Sequence, residues 1–450
     1  MISTWRKRRA SRTSNTKKQI EEKSMELMMI PSHFKCPISL DLMKDPVTLS
    51  TGITYDRVSI ETWIESGNQT CPITKKVLKS LEPIPNHTMR KMIQEWCVEN
   101  KDHGIERIPT PRIPVTSSEV TEILRKVESC CKSQQGLESG RELVMKMRKM
   151  IKESMRNKRC FVTNGAGKIL SSTLLVFSEK LSVGDSETME EILSTLTILL
   201  PLDGESKSIL GSKSSLNCMI WFLKCGSLSS RRNSVFLLKE VMRMEEMWRV
   251  EELLKIDGAL ESLVKLVKEP ICPTTTKASL LTIYHMVNSS QLSNEKARSK
   301  FVDLGLVELL IETLVDCEKS ICEKALGILS GLCNSEKGRK RANSYALTIP
   351  VLIKKLLRVS DMATEFSVSI LWKLIGKNEK KDNVVLINEA LQVGAFQKLL
   401  LLLQVGCSEN TKEKASELLK LLNLHRDKLV EASLFVTNQA IKLVREDQKL

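Results

Sequence analysis

A repeat of about 46 residues constrains the fold of this 450-residue chain more than any other feature. Six marker positions recur along residues 118–450 at steps of 46, 47, 47, 43 and 46 residues. They are Gly165, Gly211, Gly258, Gly305, Thr348 and Gly394. A fixed period of this length indicates stacked helical units, because one unit is too small to bury its apolar face alone. The pattern therefore predicts an α-helical solenoid.

Large apolar residues follow every marker at two fixed distances. Five positions on, they are Leu170, Leu216, Leu263, Leu310, Ile353 and Leu399. Nine positions on, they are Leu174, Ile220, Val267, Leu314, Leu357 and Leu403. Aromatic residues make up only 4% of the chain, which suits a core built from stripes of Leu, Ile and Val. The period is typical of armadillo or HEAT units of two or three helices, so we expect about six repeats, closed by a charged C-terminal cap.

Residues 30–104 do not share the repeat and predict a small, separate α+β module. Val47-Thr48-Leu49, followed by the turn residues Ser50-Thr51-Gly52, predicts a hairpin. Asp56 is the expected N-cap of a helix over residues 57–65, which the next Gly-Asn pair would end. A second helix is predicted from about Asn86 to Val98, where apolar residues recur at helical spacing.

Two Cys-Pro corners, 35 residues apart, give this module the layout of a RING finger without its metal ligands. The corners read Cys36-Pro-Ile-Ser39 and Cys71-Pro-Ile-Thr74, with hydroxyls where zinc would need a second thiol. No Cys or His occurs between residues 37 and 70, so two zinc sites are excluded. We expect no metal, and loops held by packing and by hydrogen bonds instead. The candidate hydrogen-bonding residues are Ser39, Thr74, Asp45, Asp56 and Arg57.

The same residues resemble a U-box, the zinc-free relative of the RING, over about 70 positions in the right order. The matching segments are Pro31–Ile38, Asp45-Pro46-Val47, Gly52–Arg57, Trp63, Thr70-Cys71-Pro72 and Pro85-Asn86. A U-box followed by armadillo repeats resembles the plant U-box/armadillo E3 ubiquitin ligases, and the layout is most similar to their immune and stress-response group. The resemblance implies a mainly α protein that binds a ubiquitin-loaded conjugating enzyme (E2). It also implies transfer of ubiquitin to lysines of protein substrates held by the repeats.

Four residues carry the implied site. By resemblance, Ile38 in the first loop, Trp63 on the first helix and Pro72 in the second loop contact the E2. Exposed apolar residues clustered in space are typical of such a partner site. Lys75 corresponds to a basic position that orients ubiquitin, although lysine lacks the planar fork of arginine. Neither a catalytic nucleophile nor a cofactor is implied, and Cys36 and Cys71 are expected to be buried thiols.

Basic residues are concentrated in two places. The net charge is +15, and residues 1–23 and 139–160 each hold eight Lys or Arg against two Glu. The rest of the chain is nearly balanced, so no nucleic-acid partner is expected. Residues 1–29 predict a basic disordered tail, with a nuclear localisation signal or an anionic-membrane contact as alternatives. Prolines at 109, 111 and 114 predict an extended linker over residues 105–117.

Missing targeting signals indicate the cellular compartment, and one alternative function stays open. It has no apolar run of about 18 residues, no secretory signal and no myristoylation pattern, and its 13 scattered cysteines indicate reduced thiols. We therefore expect a cytosolic or nuclear protein. One alternative function is a non-catalytic armadillo scaffold or adaptor with a degenerate U-box, which would carry polar residues at positions 38, 63 and 72. Self-association through the U-box stays open.

Overall fold

The computed structural model describes residues 30–110, 115–132, 137–180, 186–243, 247–288, 293–376 and 382–426. The chain divides after residue 114 into two compact units. The predicted tail (1–29), the middle of the predicted linker and the last part of the predicted cap lie outside the described residues.

A three-stranded antiparallel sheet and two helices form the N-terminal unit. The strands are β1 (Pro46–Thr48), β2 (Thr54–Asp56) and β3 (Ile84–Pro85), in the order β2-β1-β3. The helices are α1 (Arg57–Glu65) and α2 (His87–Glu99), with single 3-10 turns at Ser32–Phe34 and Lys101–His103. The predicted hairpin and both predicted helices are confirmed. The side chain of Asn86 starts α2 by accepting a hydrogen bond of 2.9 Å from the amide of Met89.

The core of this unit is small and lies between the sheet and the helices. Val47 on β1, Tyr55 on β2, Ile60 on α1 and Ile93 on α2 have no exposed surface. β-Strands present alternate residues to one face, and helices present every third or fourth, so these four residues meet on one side. The outward-facing loops are thereby fixed to a packed base.

Helices make up the C-terminal unit. It begins with α3 (Ser117–Lys132) and α4 (Leu137–Glu153). The first three triads are α5 (Met155–Thr163), α6 (Ala166–Lys180) and α7 (Ser186–Leu199); α8 (Gly204–Leu210), α9 (Lys213–Cys225) and α10 (Leu228–Met242); and α11 (Met247–Lys255), α12 (Ala259–Lys268) and α13 (Pro273–Asn288). The next three are α14 (Ser293–Asp303), α15 (Leu306–Val315) and α16 (Lys319–Leu332); α17 (Glu336–Asn343), α18 (Thr348–Lys355) and α19 (Asp361–Leu371); and α20 (Asp382–Gln392), α21 (Ala395–Val405) and α22 (residues 409–426).

The third helices of successive triads stack in series and form the spine of this unit. Helix α7 packs on α10, α10 on α13, α13 on α16, and α16 on α19, and α4, which precedes the first triad, packs on α7 in the same way. Each contact joins residues about one repeat apart, so the unit is held by nearest-neighbour packing as a solenoid requires.

The six markers lie where a new helix begins. Gly165, Gly258, Gly305 and Gly394 directly precede helices and have φ between 72° and 88°, a conformation that favours glycine. Gly211 differs, with φ −74°, and Thr348 is itself the first residue of α18. All six residues five positions on are buried, with at most 1% exposed surface.

One member of the second apolar series departs from the prediction. Leu357 is 38% exposed, whereas Leu314 at the equivalent place is fully buried. The reason is that α18 ends at Lys355, and Leu357 then takes a left-handed conformation with φ 58°. The helical spacing that would turn this side chain inward therefore stops two residues too early.

The basic stretch 139–160 takes part in packing between helices. Three of its eight cations bind groups on α7 or just after it. Arg141 pairs with Glu187, Arg148 binds Glu191 at 3.2 Å and Ser194 at 3.0 Å, and Lys158 Nζ donates to the carbonyl of Leu200 at 3.0 Å. Part of this charge is therefore used inside the chain.

In the ranges described, no single helix has both the length and the apolar character to cross a bilayer. Two sharply bent helix pairs have the length and composition of a membrane span when each pair is taken together. They are Met155–Thr163 with Ala166–Glu179, and Val384–Gln392 with Ala395–Val405.

Candidate functional site: two Cys-Pro loops around helix α1

The two Cys-Pro loops have the same backbone geometry. In the first, the carbonyl of Cys36 accepts from the amide of Leu40 at 2.8 Å, and the Cys36 amide donates to the carbonyl of Asp41 at 2.8 Å. In the second, Cys71 makes the matching bonds to Lys75 and Lys76, both at 2.9 Å. Leu40 and Lys75 each take a left-handed conformation, with φ 61° and 56°. The loops are thus two copies of one turn.

Hydrogen bonds to sulfur hold these loops onto the β2–α1 junction. The amide of Asp56 donates to Cys36 Sγ at 3.3 Å. Tyr55 Oη lies 3.0 Å from Cys71 Sγ, and Thr51 Oγ1 donates to the same sulfur at 3.4 Å. Among the described residues no group of three or more His, Cys, Asp or Glu is arranged to hold a metal ion. The sulfurs therefore act as hydrogen-bond acceptors in a polar, packed base.

These contacts change the pKa of both thiols. Burial raises the pKa of Cys71, but hydrogen bonds, chiefly from the hydroxyls of Thr51 and Tyr55, lower it more, and it falls to about 6. The pKa of Cys36 is also lowered, since its burial is outweighed by backbone hydrogen bonds from Ser39, Asp56 and Ile38. Burial and the hydrogen bond to Cys71 raise the pKa of Tyr55.

The predicted hydrogen-bonding residues contribute unequally. Arg57 Nε binds Asp45 Oδ2 at 2.6 Å, and its amide donates to the Asp45 carbonyl at 2.9 Å. The carboxylate of Asp56 accepts from the amides of Lys44 and Asp45, at 2.8 and 2.9 Å. Asp56 occupies the N-cap position of α1, as predicted. Its side chain makes no capping hydrogen bond to the helix, so that part of the prediction is wrong. The carboxylate is used across the loop instead.

Trp63 and the second loop are joined directly. The indole Nε1 of Trp63 donates to the carbonyl of Thr70 at 2.8 Å, and Asn68 Nδ2 donates to the Trp63 carbonyl at 3.0 Å. Trp63 and Pro72 are both half-buried. The helix and the loop that carry these two predicted E2 contacts therefore form one surface region.

Ile38 lies on the first loop and is 37% exposed, so it is not a core residue. This loop reaches the same β2–α1 junction through the bond between Cys36 and Asp56. Two further apolar residues are more exposed than Ile38, namely Leu40 at 71% and Ile73 at 53%. The motif comparison missed them, although Ile73 occupies the place in the second Cys-Pro-Ile that Ile38 occupies in the first.

Lys75 is exposed, and its backbone is fixed by the bond from its amide to the Cys71 carbonyl. The left-handed conformation of this residue turns the chain sharply at the end of the loop. Its position is thereby set by the backbone, independently of what its ammonium group binds.

A zinc-free RING-like module followed by stacked helical triads defines the class of U-box proteins with armadillo repeats. Residues 30–102 match the U-box domain family, and residues 119–440 match the family described as the plant U-box protein ARM repeat region. The chain therefore belongs to the plant U-box proteins with armadillo repeats.

Relatives and a solved structure agree with this family. The chain is 45% identical over 396 residues to U-box domain-containing protein 21 of Arabidopsis thaliana, covering 88% of both chains. It is 35% identical over 404 residues to E3 ubiquitin-protein ligase PUB23 of Arabidopsis thaliana, covering 88% of this chain and 93% of that one. An engineered protein of known crystal structure is similar in fold alone, with 15% identity, a TM-score of 0.50, and coverage of 75% of this chain and 81% of that one.

Family membership makes the chain a RING-type E3 ubiquitin ligase of the U-box class. Enzymes of this class transfer ubiquitin from an E2 without forming a covalent intermediate of their own. The implied partner is a ubiquitin-loaded E2, and the armadillo repeat region is the part of the family that suggests protein binding.

Proposed function

We propose that the ligase binds its E2 at the surface that contains Ile38, Trp63 and Pro72. The observation that carries this proposal is the pair of identical Cys-Pro loops attached to the β2–α1 junction, one through Asp56 and one through Tyr55. Ile38 is exposed on the first loop, and Trp63 is bonded to the second. Apolar side chains held on rigid loops lose little entropy on binding, so they suit a partner site.

Ubiquitin transfer through this surface requires no nucleophile from the ligase. Cys36 and Cys71 have no exposed surface and are engaged in hydrogen bonds, so neither is presented to a thioester. The E2 brings the reactive bond, and a substrate lysine attacks it. The contribution of the ligase is to hold the two reactants in one complex and one orientation, which can account for a large share of a rate enhancement.

The substrate of this reaction is a protein recruited by the armadillo unit. Helical solenoids present long surfaces built from equivalent positions of successive repeats, which fit extended protein partners. The spine helices α7, α10, α13, α16 and α19 supply such a series. Plant immune or stress signalling is the proposed context, because the layout of the chain resembles that group.

An in vitro reaction with E1, a broad-range E2, ubiquitin and ATP tests the E2 surface. We expect Ile38→Ala to reduce self-ubiquitination at least about fivefold, because truncating an apolar anchor costs more than about 1 kcal/mol. Val58→Ala is the matched control, since Val58 is 72% exposed on the same helix as Trp63 but lies five residues away, on another face. Equal activity of Ile38→Ala and wild type would contradict the proposed surface.

Lys75 is proposed to orient the ubiquitin carried by the E2. Single-turnover discharge of an E2–ubiquitin conjugate to free lysine isolates this step. Lys75→Ala should slow discharge while leaving E2 binding unchanged, and Lys75→Arg should restore or exceed the wild-type rate because arginine offers two parallel donors. Lys76→Ala is the control, because Lys76 is also exposed and is adjacent in the loop. Similar slowing by both alanine variants would rule out a specific role for Lys75.

For localisation we propose the cytosol or the nucleus. All the cysteines for which the structure describes a state are free thiols, and such thiols are typical of reducing compartments. A fluorescent fusion of the full chain in plant cells tests this proposal, and retention in the secretory pathway would contradict it.

A further inference from the structure

A cavity of about 380 Å³ opens where the α15–α16 connection meets the end of α18. Four cationic side chains line it, together with Asp316 and Cys317. The cations are Lys319, Lys354, Lys355 and Arg358. We call this cavity the basic pocket. Its walls come from two successive repeats, so stacking of the repeats creates it.

The cations of the basic pocket are not neutralised by the chain. In the part of the chain that the structure describes, none of the four forms an ion pair, and Asp316 is the one carboxylate in the lining. The nearby Glu318 is already paired with Lys277. Lys355 is only 8% exposed as a whole residue, so most of its side chain is packed against the rest of the chain. Four cations around one cavity repel one another, and an anionic ligand would relieve that repulsion.

Neighbouring groups respond to this positive charge. Lys398 Nζ donates to the carbonyl of Ile353 at 2.7 Å, and its pKa is lowered by burial and then by the charge of Arg358. The pKa of Cys317 is lowered by a hydrogen bond from Cys322 and also by the charge of Lys355. In each case the charge of the cation is a lesser cause of the pKa shift, and it acts in the direction expected beside a positive charge.

A second cavity in the adjoining triads shows the opposite arrangement. It is lined by Lys337, Lys340 and Arg341, and each of these cations has a carboxylate partner. The pairs are Lys337 with Asp303 at 2.5 Å, Lys340 with Glu336 at 2.8 Å, and Arg341 with Glu308. Both cavities are therefore lined by Lys and Arg side chains, but only those of the basic pocket lack a paired carboxylate among the described residues.

We propose that the basic pocket binds a phosphoryl group on a side chain of a protein that the repeats recruit. This inference rests on the proposed recruitment of protein substrates and adds their chemical class. A phosphorylated side chain brings a charge of about −1.5 to −2 and three acceptor oxygens, which match several converging cations better than one carboxylate does. No aromatic residue lines the pocket, so a nucleotide would find no surface on which to stack its base.

Binding of degenerate peptide libraries to the full-length protein tests this proposal by fluorescence anisotropy. One library has a fixed central phosphothreonine, a second has threonine there, and a third has glutamate. Wild type should bind the phosphothreonine library at least about tenfold more tightly than the other two, since hydrogen bonds to charged groups each contribute that much. Inorganic phosphate is the competitor that distinguishes a free anion from a phosphorylated side chain.

Two exposed cations supply variants that should fold normally, Lys354→Gln and Arg358→Gln. Each should weaken binding of the phosphothreonine library at least about tenfold. Lys340→Gln in the second cavity is the charge-matched control and should bind like wild type. Alkylation of Cys317 by iodoacetamide, followed by mass spectrometry, tests where the peptide binds. A peptide in the basic pocket should slow this alkylation, because Cys317 lines the pocket.

The outcomes separate this proposal from the ligase activity. Equal binding of the three libraries, unchanged binding by Arg358→Gln, or inorganic phosphate binding as tightly as the phosphothreonine library would each overturn it. No E2 is present in the binding assay, so a failure of the E2 surface cannot affect the result. Self-ubiquitination by Arg358→Gln should equal that of wild type, and a loss there would also count against a role confined to the basic pocket.

Discussion

Asp56 shows how a single side chain replaces part of a metal site. It is the last residue of β2, and its amide donates to Cys36 Sγ while its carboxylate accepts hydrogen bonds from the amides of residues 44 and 45. In a zinc-bound loop the metal would fix these segments to each other. Here one residue connects these segments: its amide binds the first Cys-Pro loop, and its carboxylate binds the chain that leads into β1.

Replacing Asp56 by alanine should destabilise the N-terminal unit by about 2–3 kcal/mol, because two backbone donors would lose a charged acceptor. Asp56→Asn should cost less, since its amide oxygen can still accept both bonds. Asp41→Ala is the control, because that side chain is exposed. Urea unfolding followed through the methyl signals of Ile60 and Ile93 measures the effect on this unit. An Asp56→Ala variant as stable as wild type would show that the loop is held by packing alone.

Cys71 should make the stability of the same unit depend on pH. Its pKa of about 6 in the folded protein lies below its ordinary value of about 9. The folded state thus favours the thiolate, so this stabilisation is complete above about pH 9, decreases as the pH falls, and is absent below about pH 6. Unfolding free energies measured at steps between pH 6 and 9 should rise with pH. Cys71→Ala should remove that part of the slope, and an unchanged slope would contradict the assignment.

At the scale of elements, glycine controls how closely the spine helices approach. Gly327 on α16 lies between Tyr284 of α13 and Phe366 of α19. A Cβ placed on Gly327 would come within 2.8 Å of the Tyr284 ring and 3.3 Å of the Phe366 ring. Three successive repeats therefore meet at one residue that has no side chain.

Gly327→Ala should destabilise the C-terminal unit by about 1–3 kcal/mol, because the added methyl group forces the packed rings apart. Gly140→Ala provides the matched helical control. Its Cβ would make an ordinary contact of 3.5 Å with Cys130, and alanine favours helix, so this variant should be neutral or stabilised by up to about 1 kcal/mol. Thermal unfolding followed by circular dichroism compares the two. Equal melting temperatures would mean that the spine tolerates a wider helix spacing.

Turn and capping residues predicted some helix ends well and others poorly. The bounds of α1 and the start of α2 at Asn86 follow from turn and capping residues close by in the sequence. The early end of α18, which exposes Leu357, does not follow from the 46-residue period. A period describes the average repeat, whereas the length of one helix depends on how its own neighbours pack.

At the scale of the whole molecule, the two units should bind their partners through separate surfaces. The full-length Ile38→Ala protein is then expected to lose ubiquitin transfer but to keep the proteins recruited by its repeats. Proximity labelling in plant cells, with wild type and Ile38→Ala each fused to a biotin ligase, measures this. The same neighbours should be labelled by both, and substrates should accumulate with the variant. Loss of most neighbours in the variant would show that recruitment depends on the E2 surface.

The sequence alone determined the class of fold, because its signals are local. A helical period, cap residues and the order of motifs in the U-box are all carried by contiguous residues. The tertiary structure decided which distant groups meet. It directed the Asp56 carboxylate to amides 11 and 12 residues away, and it brought Lys319 beside Lys354 and Arg358 of the next repeat. Such contacts depend on how folded elements stack, since a side chain's partner across a repeat boundary is fixed only when the repeats have packed.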